Sequence, residues 1–281
     1  MQSAPVETRS LVTVREFEKH MRPAGHPLLI RGWMADWRAL NRWSFQFFKE
    51  NYGTDPIVVS DDSSGNTIET TIDEYASYLC DPDGDARLAR LAAELNRDRP
   101  FYCLGYKPFA AHPELWDDIS IPPFVADWWP YFSAAFTSAH FPKNQGWVFL
   151  AAAGSTARMH RDSHHTLTWL AQVAGRKEYY LFAPEEAERI YRGAVDPSAP
   201  DLSRFPLSDQ AAGLRCVLEP GEMLFLPADW WHFAKALDDS ITISCNFVNH
   251  INFGDYLVAA FGARLPEILA ALPAGPPPAA R

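Results

Sequence analysis

The chain has 281 residues, 47% hydrophobic and 21% charged, with 10 Trp, 18 Phe and 10 Tyr. That composition excludes disordered, collagen-like and coiled-coil classes and suffices for a sizeable core. With 35 acidic against 25 basic residues the net charge is −10, so neither nucleic-acid phosphates nor an anionic membrane is expected as the main partner.

Thr13-Val14-Arg15-Glu16 reads as a capping box opening a short helix, because the Thr hydroxyl and Glu carboxylate can satisfy the free N–H groups of a first turn. Residues 27–32 form an apolar run closed by Gly, a strand pattern, and the aromatics Trp33, Trp37, Trp43, Phe45, Phe47 and Phe48 are read as core. Residues 57–59 read as a strand, 63–66 as a turn, 71–79 as a capped helix and 81–85 as a loop.

From residue 147 the texture becomes short strands separated by Gly and Pro, expected at 147–153, 159–162, 167–173, 178–182, 223–226 and 240–247, with one brief helix at 185–191. This pattern predicts a mostly β fold, a double-sheet barrel or jelly roll, with helices around it at both ends. A single domain is expected over 1–272, comprising an N-terminal elaboration (1–144), a barrel core (about 145–250) and a helix (256–272), ahead of a flexible proline-rich tail (273–281). Four scattered cysteines without a CxxC pair, no signal-peptide pattern and no run near the roughly 18–20 apolar residues of a membrane span point to a reducing cytoplasm.

Three side chains carry the chemistry. Alternate residues of a strand share a face, so His160 and Asp162 can converge on one ion while Arg161 faces away. A second imidazole, His232 in Leu226-Pro227-Ala228-Asp229-Trp230-Trp231-His232, opens a late strand that a jelly roll can bring alongside. Two imidazoles and one carboxylate on one face leave open positions on an Fe(II) ion for a cosubstrate and O2. His164 and His165 read as loop or substrate-facing residues, since a fourth protein ligand would consume an open position.

Around this trio stand Gly175-Arg176-Lys177 leading into Glu178-Tyr179-Tyr180-Leu181-Phe182-Ala183-Pro184, and Glu219-Pro220-Gly221-Glu222-Met223-Leu224-Phe225-Leu226-Pro227 leading into Trp230-Trp231-His232. With these motifs the chain resembles the JmjC and cupin-like 2-oxoglutarate oxygenases, specifically their hydroxylase branch, and the resemblance extends to the Pro27 to Trp43 segment. It implies a double-stranded β-helix with His160, Asp162 and His232 as Fe(II) ligands. Lys177 matches the family lysine that pairs with the distal carboxylate of 2-oxoglutarate, and a dicarboxylate in a dry barrel independently needs such a cation. The resemblance further implies Tyr102, Ser244 and Asn246 as cosubstrate contacts. Where some relatives carry an amide this chain has Leu170, so Thr168 or Thr166 is expected in that role. Trp147, Trp169, Trp230 and Trp231 are read mainly as core packing that would also help keep the site dry.

The implied reaction decarboxylates 2-oxoglutarate to succinate and hydroxylates a C–H bond. A protein or peptide substrate is expected, with Trp116, Trp128, Trp129 and Tyr131 either forming a groove for it or simply packing. Demethylation ranks lower, for want of a reader domain or a zinc-binding cysteine set. A small-molecule or nucleoside substrate stays open, as does a non-catalytic metal-binding scaffold, against which Lys177 argues. The C-terminal helix is a candidate homodimer contact.

Overall fold

Along β14 (Ser240–Phe247), Ile241, Ile243, Cys245 and Phe247 enter the main hydrophobic cluster, while the alternate residues Ser240, Thr242, Ser244 and Asn246 take the opposite face. The same division runs along β9 (Leu167–Ala174), where Leu167, Trp169, Ala171 and Val173 join that cluster and Thr168, Leu170 and Gln172 face inward. A strand covered on both faces yet polar on one implies an internal cavity on the polar side.

The computed structural model describes residues 1–60, 67–81, 87–95, 100–129, 146–262 and 266. Six further strands complete the barrel: β7 (Trp147–Ala151), β8 (Thr156–His160), β10 (Lys177–Phe182), β11 (Ala212–Leu218), β12 (Glu222–Leu226) and β13 (Trp231–Ala236). They interleave as a jelly roll. Strands β12-β9-β14-β7 are neighbours in one sheet and β11-β10-β13-β8 in the other, with β8 at the outer edge of its sheet. Both sheets line one cavity.

The N-terminal half extends these sheets. Strand β1 (Gln2–Pro5) runs parallel to β11, and β2 (Glu7–Arg9) lies beside β3 (Leu28–Arg31), which pairs with β12. At the other end β6 (Tyr102–Cys103) pairs with β7 and carries β4 (Pro56–Ser60) and β5 (Thr67–Thr71) outward. Helices α1 (Val14–Met21), α2 (Ala39–Arg42), α3 (Phe45–Tyr52), α4 (Ile72–Cys80) and α5 (Arg87–Glu94) surround this half. Helix α1 starts on the expected capping box, with the Glu16 N–H donating to Thr13 Oγ1 at 3.2 Å and the Thr13 N–H donating to Glu16 Oε2 at 2.9 Å. Its buried face sets Phe17 5.0 Å from the Phe225 ring, and each such burial contributes roughly 1.5–3 kcal/mol.

Several expectations are corrected. No helix forms at 185–191: two 3-10 turns, Pro184–Glu186 and Tyr191–Gly193, stand there, and Tyr191 and Arg192 have left-handed φ angles of 51° that an α-helix does not allow. Strand β8 spans Thr156–His160 rather than 159–162, so Asp162 lies just past its end. The C-terminal helix α6 is Phe253–Phe261, and most of the expected 256–272 span lies outside the described residues, as do the turn at 63–66, most of the loop at 81–85 and the tail. No described helix is long and apolar enough to cross a membrane.

Candidate active site

His160 and His232 are direct cross-strand partners in β8 and β13, with ring centroids 4.1 Å apart. Asp162 continues the extended backbone beyond β8 (φ −67°, ψ 151°), so the two-residue parity with His160 survives although the ladder has ended. One ligand atom from each of the three lies within 4.8 Å of the others.

Hydrogen bonds fix how each ligand is presented. The Nδ1–H of His160 donates to the Arg158 carbonyl at 2.8 Å, and that of His232 to the Trp230 carbonyl at 3.1 Å. A carbonyl can only accept, so both rings keep the proton on Nδ1 and turn the Nε2 lone pair to the centre. Burial pushes the His232 imidazole down to about 4, which keeps it neutral and fit for coordination. The Thr168 hydroxyl donates to Asp162 Oδ2, and the Asn246 amide donates to the Thr168 and Thr166 hydroxyls at 2.9 and 2.8 Å. This relay orients the carboxylate. Two imidazole nitrogens and a carboxylate oxygen, with other positions left to small ligands, are the donor set that suits Fe(II).

The trio stands on the wall of a cavity of about 420 Å³ that also takes in Lys177, Tyr102, Phe149, Leu170, Ser244 and Asn246. The turn that delivers Lys177 depends on Gly175, at φ +60°, where a Cβ would lie 2.1 Å from the Asp239 carbonyl oxygen. Lys177 is 1% exposed, and no hydrogen bond or ion pair joins its ammonium to any described residue. It sits 5.4 Å from the Tyr102 ring centroid and 5.7 Å from that of Phe149. Burial pushes its pKa down to about 7. A buried ammonium without an anion among the described residues fits the distal carboxylate of 2-oxoglutarate.

The sequence-predicted residues therefore divide. His160, Asp162, His232, Lys177, Tyr102, Ser244 and Asn246 all line the cavity. Thr168 does not, and its hydroxyl is engaged by Asp162. Of the four tryptophans near the motif, Trp147 lines the cavity, Trp169 and Trp230 are packed in the core as expected, with Trp230 donating to the Gly25 carbonyl, and Trp231 lies under Arg161. Trp116 stacks on Phe109 and, like Trp129, packs against the main core, while Trp128 and Trp129 also pack near α6; Tyr131 lies outside the described residues.

His164 and His165 stand outside the ligand trio, His164 against the Tyr256 ring and His165 bonded through Nδ1 to Asp229 Oδ2 at 2.5 Å. Asp229, at φ 65°, also meets Arg161 at 3.4 Å and so ties the segment bearing Asp162 to the turn before His232. Sequence reasoning missed this brace, whose partners are far apart in the chain. It also missed Arg158 and Phe149, which the two-residue parity from His160 and Trp147 would have found.

Comparison with known proteins agrees with this geometry. A family model described as a cupin-like domain matches residues 14–253. The chain is 29% identical over 264 residues to lysine-specific demethylase JMJ21 of Arabidopsis thaliana, covering 89% of this chain and 26% of that protein. It is 26% identical over 247 residues to lysine-specific demethylase 8 of Xenopus tropicalis (83% and 50%). It is 22% identical over 254 residues to the bifunctional arginine demethylase and lysyl-hydroxylase psr-1 of Caenorhabditis elegans (84% and 59%). The chain thus spans between about a quarter and three fifths of these relatives' lengths.

Proposed function

The chain belongs to the cupin-like domain family, among its JmjC oxygenases, and from that premise we propose that it is an Fe(II)- and 2-oxoglutarate-dependent dioxygenase hydroxylating a protein or peptide side chain. The observation that carries the reading is the coexistence, in one cavity, of a two-imidazole, one-carboxylate trio and a buried lysine with no anion partner among the described residues. Fe(II) chelated by 2-oxoglutarate supplies O2 activation, with decarboxylation of the cosubstrate to succinate and oxygen transfer to a C–H bond. His160 and His232 offer neutral Nε2 donors, and Asp162 offers a carboxylate whose direction Thr168 and Asn246 set. Lys177 holds the far carboxylate of the cosubstrate, with Tyr102, Ser244 and Asn246 around it, while Phe149, Leu170 and Trp147 exclude water.

A protein substrate is supported by the relatives' names, which specify lysine and arginine demethylases and a lysyl-hydroxylase. Exposed Arg158 at the cavity rim repels a cationic side chain, methylated or not, so hydroxylation of an uncharged residue is the outcome it favours. The test is anaerobic addition of Fe(II) and 2-oxoglutarate, expected to give the weak visible charge-transfer band of a chelated keto acid, absent in His160→Ala. Without that band the oxygenase reading falls. Peptides turned over in air should gain one oxygen atom, whereas loss of a methyl group with formaldehyde release would replace hydroxylation by demethylation.

A further inference from the structure

Around the sheet that carries both ligand histidines, arginines are paired. Arg161 meets Asp229 at 3.4 Å, Arg176 meets Asp238 at 2.6 Å, and Arg215 meets Glu178. Arg158 differs. It is exposed, lines the cavity, and its side chain makes no ion pair or hydrogen bond with any described residue. The ladder between β8 and β13 is irregular at this point, with His160 opposite His232 but Ala157 opposite Ala234, so Arg158 belongs to a β-bulge beside the first iron ligand. Lys107 rests its ammonium 5.0 Å from the ring centroid of Trp147, a cavity residue, and it too has no carboxylate partner among the described residues.

Among the described residues the cavity lining contains one carboxylate, Asp162, and that one belongs to the proposed metal-binding trio. In a chain of net charge −10 with 35 acidic residues, a lining cation with no carboxylate partner among the described residues runs against the overall charge. A guanidinium offers a planar fork of donors that matches a carboxylate. Strand β8 pairs only with β13 among the described strands, so its other edge is where an extended peptide can run past the entrance.

We propose that the substrate is a peptide segment bearing an Asp or Glu side chain close to the oxidised residue, and that Arg158 binds that carboxylate at the rim. This rests on the oxygenase reading and names its substrate class. Arg158 and His160 are two residues apart, at most about 7 Å along the chain even across the bulge, which places the acidic residue within about two positions of the one hydroxylated.

The test is fluorescence anisotropy with two labelled nonapeptides of alternating sequence, Glu-Ala and Lys-Ala, added to the full chain with and without Mn(II) and 2-oxoglutarate. Net charge alone would favour the Lys-Ala peptide, so the sign of the preference discriminates. The Glu-Ala peptide should bind at least about fivefold more tightly. Arg158→Ala should weaken it up to about fivefold, Arg158→Glu about twentyfold, and Arg158→Lys should retain most of it. Equal or tighter binding of the Lys-Ala peptide, or a Glu-Ala preference that persists in Arg158→Glu, overturns the proposal. Binding needs no turnover, so it can fail while the charge-transfer band is present, and the band can fail while binding holds.

Discussion

Replacing Lys177 by Met separates what the ammonium costs the protein from what it does for a ligand. Burial lowers this group from 10.5 to about 7, which corresponds to about 5 kcal/mol against the charged form. The unfolded chain holds the proton to about pH 10.5 and the folded chain only to about 7, so the unfolded state binds more protons between those values. Stability therefore rises with pH across that window, and the cost is almost fully present at pH 7. Lys177→Met removes it, and chemical denaturation of the metal-free chain at pH 7 should show a gain of about 4 kcal/mol and a flatter pH dependence. Removing one partner of a buried charge pair typically costs about 2–5 kcal/mol, so the 2-oxoglutarate Kd measured by calorimetry on the Mn(II) form should rise about 30-fold or more. The Mn(II) Kd should change less than about threefold. In the wild type the cosubstrate must find Lys177 protonated, so its affinity should fall up to about tenfold per pH unit above 7. Equal losses for metal and cosubstrate, or a variant no more stable than the wild type at pH 7, would refute the reasoning.

Three further substitutions probe the supporting structure. Thr168→Val keeps the side-chain shape but removes the donor to Asp162, and metal titration should show about 10–100-fold weaker Mn(II) binding with the far-UV circular dichroism unchanged. Asp229→Asn weakens the brace to His165 and Arg161; Mn(II) affinity should fall about tenfold, and an unchanged value would show that the two ligand-bearing segments hold their places without it. Gly175→Ala puts a Cβ 2.1 Å from the Asp239 carbonyl oxygen at φ +60°, and thermal unfolding should report a loss of more than about 2 kcal/mol.

What was legible in the chain was alternation. Strand β14 falls where its apolar and polar residues predict it, and the capping box placed α1 because both partners are local. The grouping of His160, Asp162 and His232 was legible because parity needs only an extended backbone, and Asp162 keeps that geometry beyond the last ladder bond. Strand β11 was not: Ala212 to Leu218 is half exposed, and Gly213 is there because a Cβ would meet the Phe182 ring at 2.7 Å and the Leu181 carbonyl oxygen at 2.9 Å. The helix expected at 185–191 has helical composition, but tertiary context bends it through two left-handed residues. Thr168 stands in the expected neighbourhood with its hydroxyl on Asp162, a partner that spacing could not name because it fixes only a face.

Strand β8 is the outermost member of its sheet and has a neighbour on one side only, and its final residue is the first imidazole, facing the second across the gap to β13. An ion gripped by both rings acts as a rivet through the seam at its most weakly fastened end. Amide protons of 156–160 should then exchange more slowly as iron is supplied, which makes fraying of this border a readout of loading that needs neither turnover nor a known target.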